Sequence, residues 1–134
     1  MSRPLYFDKR TNSVDLTNET GSNTIFTYPS GLYNSLLNGD GNFVIEINLK
    51  VIGMDDTGSI INYNVIGSYK KFGRVTETAG NLIITQNVDE IGINISSFID
   101  SDNDDNIVFE LDILEGFFTL QLKIFADIIL FETI

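Results

Sequence analysis

The sequence predicts an all-β fold, an antiparallel β-sandwich of jelly-roll-like type with an extended N-terminal arm. Nineteen isoleucines against two alanines favour strands, because β-branched side chains suit a pleated surface and alanine suits helices. Apolar and polar residues alternate over long runs in the second part of the chain. Clusters of Gly, Asn and Asp separate these runs, as expected for antiparallel strands joined by turns.

The chain divides near residues 38–41, Asn-Gly-Asp-Gly. Residues 1–40 hold short apolar clusters between polar runs, with a short strand predicted at 24–28 and a short helix at 32–37. We expect this segment to be an N-terminal arm that attaches the protein to a partner. Its predicted attaching residues are Arg3, Pro4, Leu5, Tyr6 and Phe7.

Residues 41–134 are expected to form the β-sandwich domain. Residues 43–51 alternate between apolar and polar positions, and residues 61–69 do the same. Between them, the Asp-Asp-Thr-Gly run at 55–58 has the composition of a tight turn, so the two strands should form a hairpin. Further strands are predicted at 72–76, 81–85, 91–95, 107–113 and 117–125.

Composition excludes several functions. The chain contains no Cys and no His, which excludes disulfides, Cys/His zinc sites and a Ser-His-Asp triad. Nineteen acidic against eight basic residues give a net charge of -11, so neither nucleic acid nor an anionic membrane is an expected partner. We expect a protein that is not an enzyme and that needs no cofactor.

Acidic residues are concentrated at 100–106, a run that resembles the start of a calcium-binding loop. Counted from Asp102, the sixth position is Ile107 where that loop needs Gly, and the twelfth is Ile113 where it needs Glu. We therefore expect a solvated turn and no metal site. Glu110 and Asp112 are a nominal carboxylate pair for glycan hydrolysis, an alternative that their shared strand face disfavours.

Lys70, Lys71 and Arg74 form a basic cluster in an acidic chain. One interpretation is that they pair with acidic residues of the same domain. The other is that they contact an acidic surface of a partner protein.

The last segment departs from strict alternation. Residues 128–131, Ile-Ile-Leu-Phe, would present apolar side chains on both faces of a strand. Such a strand needs a second cover, either the N-terminal arm or a neighbouring subunit. We expect a homo-oligomer, a trimer, in which Ile128, Ile129, Leu130 and Phe131 form the interface.

Two stretches of the chain resemble small bacteriophage virion proteins of the tail-fibre and capsid-decoration type. The first is the opening Met-Ser-Arg-Pro-Leu-Tyr-Phe-Asp at 1–8. The second begins at Phe43 and includes residues 51–58, Val-Ile-Gly-Met-Asp-Asp-Thr-Gly, then residues 69–71, Tyr-Lys-Lys. The family often has a basic residue after Val-Ile-Gly and a Trp in the last strand, where this chain has Met54 and Phe125.

The resemblance implies a virion structural protein, assembled in the host cytoplasm, that binds the major capsid protein or other virion proteins. A capsid decoration, minor capsid or head-fibre protein is the expected form. One alternative is a receptor- or carbohydrate-binding tip of a tail fibre, in which Tyr28, Tyr33 and Tyr69 would stack on sugars. The other is a small carboxylate-dependent hydrolase.

Overall fold

The computed structural model describes residues 5–17, 20–29, 42–86, 92–103, 105–114 and 119–133, and these residues form strands, turns and one short 3-10 turn. The strands are β1 Leu5–Thr17, β2 Gly21–Tyr28, β3 Asn42–Asp55, β4 Ile60–Phe72, β5 Val75–Thr78, β6 Ile83–Gln86, β7 Ile93–Asp100, β8 Asn106–Ile113 and β9 Thr119–Thr133. The helix predicted at 32–37 lies outside the described residues. Within those residues, no helix has the length and apolarity that crossing a membrane requires.

The strands form two antiparallel sheets, which confirms the predicted fold class. The large sheet has the order β1-β9-β3-β4-β5, and β6 also pairs with β4. The small sheet has the order β2-β8-β7. Buried side chains of both sheets belong to one hydrophobic core, so the sheets form the two layers of a sandwich.

The pairing of the strands is nested. β1 pairs with β9 in the large sheet, and β2 pairs with β8 in the small sheet. The chain therefore passes from the large sheet to the small sheet between β1 and β2, and returns from the small sheet to the large sheet between β8 and β9. This arrangement is the jelly-roll-like feature of the fold. The β3–β4 hairpin extends the large sheet on the other side of β9.

The N-terminal segment is part of both sheets. β1 is paired with β9 along its whole length, from Leu5 opposite Phe131 to Thr17 opposite Thr119. Ile25 and Tyr28 of β2 are fully buried in the core. The structure thus corrects the expectation of an arm for residues 5–17 and 20–28, because the boundary near residue 40 does not separate these strands from the sandwich.

The predicted β3–β4 hairpin is confirmed, and its turn is closed by one carboxylate. Asp55 Oδ1 accepts hydrogen bonds from the backbone amides of Thr57 and Ser59, each at 2.9 Å. Gly58 has a φ of 89°, which a residue with a side chain rarely adopts. Burial raises the pKa of Asp55, but the hydrogen bonds outweigh it, so its pKa is lowered overall.

Two tyrosines of β4 connect the layers. The Tyr69 hydroxyl lies 2.6 Å from Ser97 Oγ in β7, and its ring meets Phe109 of β8 edge to face. The Tyr63 hydroxyl donates to the Ile93 carbonyl at 3.4 Å. Burial raises the pKa of Tyr69 to about 12, against a smaller lowering from the Ser97 hydrogen bond, so its hydroxyl is neutral at physiological pH.

Gly67 makes room for the Tyr69 ring. Both residues point inward on β4, and a Cβ at Gly67 would collide with the Tyr69 ring and hydroxyl. A glycine inside a strand often marks such a close approach. The position of the Tyr69 ring, and with it the hydrogen bond to Ser97, therefore depends on the absence of a side chain at Gly67.

We predict that Tyr69→Phe lowers the free energy of unfolding by about 0.5 to 1.5 kcal/mol, because a hydrogen bond between the sheets is lost. Gly67→Ala should cost about 1 to 3 kcal/mol, since the ring must move. Urea denaturation measures both. Ser97→Ala is the control, and adding it to Tyr69→Phe should cost little more than either change alone. Wild-type stability in Tyr69→Phe would contradict the proposed role of this hydroxyl.

Candidate functional site

The outer face of the large sheet, directed away from the small sheet, carries a contiguous apolar surface. Leu5 and Val44 lie opposite Phe131 on the strands that flank β9, and Phe7 lies opposite Ile129. Residues directly opposite each other in antiparallel strands have Cβ atoms about 4.5 to 5.5 Å apart, so these side chains are neighbours. We call Leu5, Phe7, Val44, Ile129 and Phe131 the outer apolar patch.

The patch is exposed. Phe7 is 69% exposed, Leu5 50% and Val44 49%, while Phe131 and Ile129 are 40% and 37% exposed. Burying one large apolar side chain is worth about 1.5 to 3 kcal/mol. Exposed apolar surface of this kind marks binding surfaces, so the outer apolar patch is the candidate functional site.

The structure divides the predicted attaching residues between two faces. Leu5 and Phe7 point outward into the patch, whereas Tyr6 is half-buried and packs against the core. Arg3 and Pro4 lie outside the described residues. Attachment through this segment stays a prediction, and Leu5 and Phe7 are the described side chains that are accessible to a partner.

The predicted interface at 128–131 is divided in the same way. β9 continues its alternation to the C-terminal end of the strand: Ile128 and Leu130 are 1% and 0% exposed, and Ile129 and Phe131 point outward. The small sheet covers the inner pair, so the expectation that Ile128 and Leu130 belong to a subunit interface is wrong. Only Ile129 and Phe131 are available for contact with another subunit.

Sequence reasoning missed that these two segments form one surface, and it missed Val44. Leu5 and Phe131 are far apart in the chain and meet only through the β1–β9 ladder. The available signal was the position of Val44, an apolar residue on the otherwise polar face of its alternating run. Without the register, that signal did not identify a patch.

Ion pairs flank the patch on both sides. Lys9 Nζ lies 3.8 Å from Asp127 Oδ1, on the same two strands as Phe7 and Ile129. Lys70 Nζ lies 3.5 Å from Glu77 Oε2, beyond Val44. Both pairs are largely exposed, so their contribution to stability is small.

The basic cluster does not form one surface. Lys70 points outward, but Lys71 is 2% exposed, points inward and donates to the Gly73 carbonyl at 2.5 Å. Consecutive residues of a strand face opposite sides, which separates the two lysines. The prediction that Lys70, Lys71 and Arg74 together contact an acidic partner therefore fails for Lys71, which is inaccessible.

A polar cluster closes one edge of the sandwich. Asp8 Oδ2 accepts hydrogen bonds from Arg10 Nε at 3.0 Å and from the Tyr28 hydroxyl at 3.3 Å. The Arg10 guanidinium lies 4.9 Å from the centroid of the Tyr28 ring. Asn12 Nδ2 also donates to the Ile25 carbonyl, so this edge joins β1 to β2 through polar contacts.

Two carboxylates of the acidic loop at 100–106 accept hydrogen bonds within the fold. Asp105 Oδ2 accepts a hydrogen bond from the Thr76 amide at 3.0 Å, and Asp100 Oδ1 accepts one from the Asp102 amide at 3.2 Å. In the part of the chain that the structure describes, no group of three or more potential ligands is placed to hold a metal ion.

The tyrosines of the carbohydrate-binding alternative and the carboxylates of the hydrolase alternative have the following positions in the structure. Tyr28 and Tyr69 are buried, which prevents them from stacking on a sugar ring, and Tyr33 lies outside the described residues. Glu110 and Asp112 lie half-buried on the outer face of the small sheet. Asp112 accepts a hydrogen bond from the Ser22 hydroxyl on the neighbouring strand.

A neutral cleft of about 380 Å³ lies where β4 and the following segment face β7. The described residues that line it are uncharged, and its polar members are Ser68, Tyr69, Thr78, Asn81, Ser96 and Ser97. Leu82, Ile84 and Ile95 supply its apolar part. The cleft is suited to a small neutral ligand with hydroxyl groups.

Neither a protein-family model nor a curated protein matches the chain. Among solved structures, it is similar to the tailspike protein of Acinetobacter baumannii phage AM24, with 8% sequence identity and a TM-score of 0.49. The similarity covers 96% of this chain and 26% of the tailspike chain. This chain therefore spans about a quarter of the length of that protein.

We predict that the two faces of β9 respond differently to truncation. Ile128→Ala and Leu130→Ala should each lower the free energy of unfolding by about 2 to 5 kcal/mol, because they leave cavities in the core. Ile129→Ala and Phe131→Ala should change the stability of the monomer by less than about 1 kcal/mol. Denaturation at low protein concentration measures this contrast, and equal losses on the two faces would contradict the assignment.

We also predict that folding does not depend on a bound metal. The melting temperature, followed by circular dichroism, should be unchanged within error after addition of EDTA, because the carboxylates of Asp100 and Asp105 accept backbone hydrogen bonds. Calcium added back is the control. A shift of many degrees with either reagent would show that this loop holds a cation.

Proposed function

We propose that the chain is a structural protein of a bacteriophage virion that acts by assembly and carries out no catalysis. The resemblance of residues 1–8 and of the module from Phe43 onward supports this role. The outer apolar patch is the observation that carries it, because five large apolar side chains on one exposed sheet face form a surface suited to a protein partner.

The outer apolar patch contains residues from both segments that were predicted to make contacts, one for attachment to the particle and one for contact between subunits. Leu5 and Phe7 come from the segment predicted to attach the protein to the particle, and Ile129 and Phe131 from the segment predicted to join subunits. The surface is therefore proposed to serve in assembly, with other copies of the chain and with the major capsid protein or other virion proteins. A homotrimer is the proposed oligomer.

A capsid decoration, minor capsid or head-fibre protein is the proposed specific role, with the mature protein located in the virion. In this role, a rigid sandwich presents its outer sheet face to neighbouring subunits. The long strands β1, β3, β4 and β9 make that face stiff, since each is paired along most of its length.

The second candidate is a receptor- or carbohydrate-binding tip domain of a tail fibre. The neutral cleft favours it, because its lining combines uncharged polar residues, which can hydrogen-bond a sugar, with the apolar residues Leu82, Ile84 and Ile95. A glycan array with the purified protein tests this candidate. Thr78 lines the cleft and lies opposite Tyr69, so Thr78→Leu places a larger apolar side chain at the cleft. Binding that is lost in Thr78→Leu would favour the tip domain over a purely structural role.

We predict that purified virions of the phage that encodes this chain contain it in stoichiometric amounts. Quantitative mass spectrometry of density-gradient particles measures this, with empty capsids and detached tails analysed separately as controls. Peptides in the capsid fraction would support a decoration or head-fibre role, and peptides in the tail fraction would support the fibre alternative. Absence from every particle fraction would contradict a virion protein.

A further inference from the structure

We infer that the partner of the outer apolar patch is a second copy of this chain, packed with the outer face of its large sheet against the same face of the first. This deepens the proposed function, on which it rests, by naming the partner. A contact between two identical faces closes as a two-fold dimer, so the inference replaces the homotrimer of the proposed function with a dimer. Three features of the face support it: its charge balance, its area and its contrast with the other face of the sandwich.

The outer face of the large sheet is electrically balanced. Its outward strand positions hold four lysines and four acidic residues, all exposed: Lys9, Lys50, Lys70, Lys123, Asp15, Glu46, Glu77 and Asp127. The whole chain has a net charge of -11, so that excess lies elsewhere. Two copies can therefore bring these faces together without opposing a net charge on either face.

The outer face of the small sheet is different. Strands β2, β7 and β8 contain no Lys or Arg, and Asp100, Glu110 and Asp112 occupy outward positions. Packing this face against another copy would bring carboxylates together without counterions, which is unfavourable. The charge distribution thus selects the large sheet for contact between copies.

The area of the large-sheet face matches a stable interface. β1, β9, β3 and β4 each contain 13 to 15 residues. At about 3.3 Å per residue and about 4.8 Å between strands, their outer face covers roughly 800 Å². A standard protein interface buries about 800 Å² on each partner. The outer apolar patch then forms the apolar part of the contact, and the balanced charges surround it.

Light scattering after size exclusion, over a range of concentrations, provides the first test. At micromolar concentration and moderate salt, the molar mass of the wild-type protein should correspond to more than one copy of the chain. Its association should strengthen as salt rises, because salt screens the repulsion between the acidic remainders of the two copies. A monomer at every concentration and salt level would overturn the inference.

A matched pair of variants tests which face is used. Phe131 on the large sheet and Phe98 on the outer face of the small sheet are both 40% exposed. Phe131→Asp should raise the dissociation constant at least about tenfold, whereas Phe98→Asp, the same change on the other face, should leave it near the wild-type value. Equal effects of the two changes, or a larger effect of Phe98→Asp, would contradict docking through the large sheet.

A charge exchange tests the balance directly and does not disturb the apolar side chains. The Lys9 side chain is 85% exposed and pairs with Asp127. Lys9→Glu makes the face acidic and should weaken association and steepen its salt dependence. Lys9→Glu with Asp127→Lys restores the balance and should restore association. Loss of association in both variants, or in neither, would overturn the inference.

These experiments separate the inference from the proposed function. A monomeric protein that is still found in purified virions would refute docking between copies and leave the virion role intact. An oligomer that depends on Phe131 but is absent from virions would refute the virion role and leave docking between copies intact.

Discussion

Strand β9 lies between β1 and β3 and forms antiparallel ladders with both, 13 residue pairs with β1 and 14 with β3. Side chains alternate between the two faces of a sheet along each strand. The two pairings of β9 therefore determine which residues of β1 and β3 lie beside which residues of β9 on each face. Leu120, Leu122 and Ile124 then face the small sheet and join the core. The same register brings Leu5, Val44 and Phe131 together on the opposite face.

The small sheet covers the inner face of the large sheet with fewer strands. Long side chains bridge the layers: Tyr63 and Tyr69 reach β7, and Tyr28 reaches Asp8 of β1. A buried hydroxyl needs a hydrogen-bond partner, so these contacts specify how the two sheets are aligned. The outer face of the large sheet has no layer over it in the described residues, which makes it the surface where the sandwich can meet a partner.

Charge is distributed unevenly over the two outer faces. The outer face of the large sheet carries both lysines and acidic residues, while all charged residues in the strands of the small sheet are acidic. A strongly acidic protein that must also assemble needs a surface from which the net charge is absent. The balanced face and the outer apolar patch coincide, so one surface meets both requirements of the proposed structural role.

The sequence by itself determined the fold class, the β3–β4 hairpin and the absence of Cys and His chemistry, because alternation, turn composition and residue content are local properties. It also separates Lys70 from Lys71 once strand alternation is applied. Tertiary structure alone decided that β1 belongs to the large sheet, that Ile128 and Leu130 face the core, and that Leu5 and Phe131 share a patch. The physical reason is that these outcomes depend on the register between strands at opposite ends of the chain, and pairing over such a distance leaves no signal in either segment on its own.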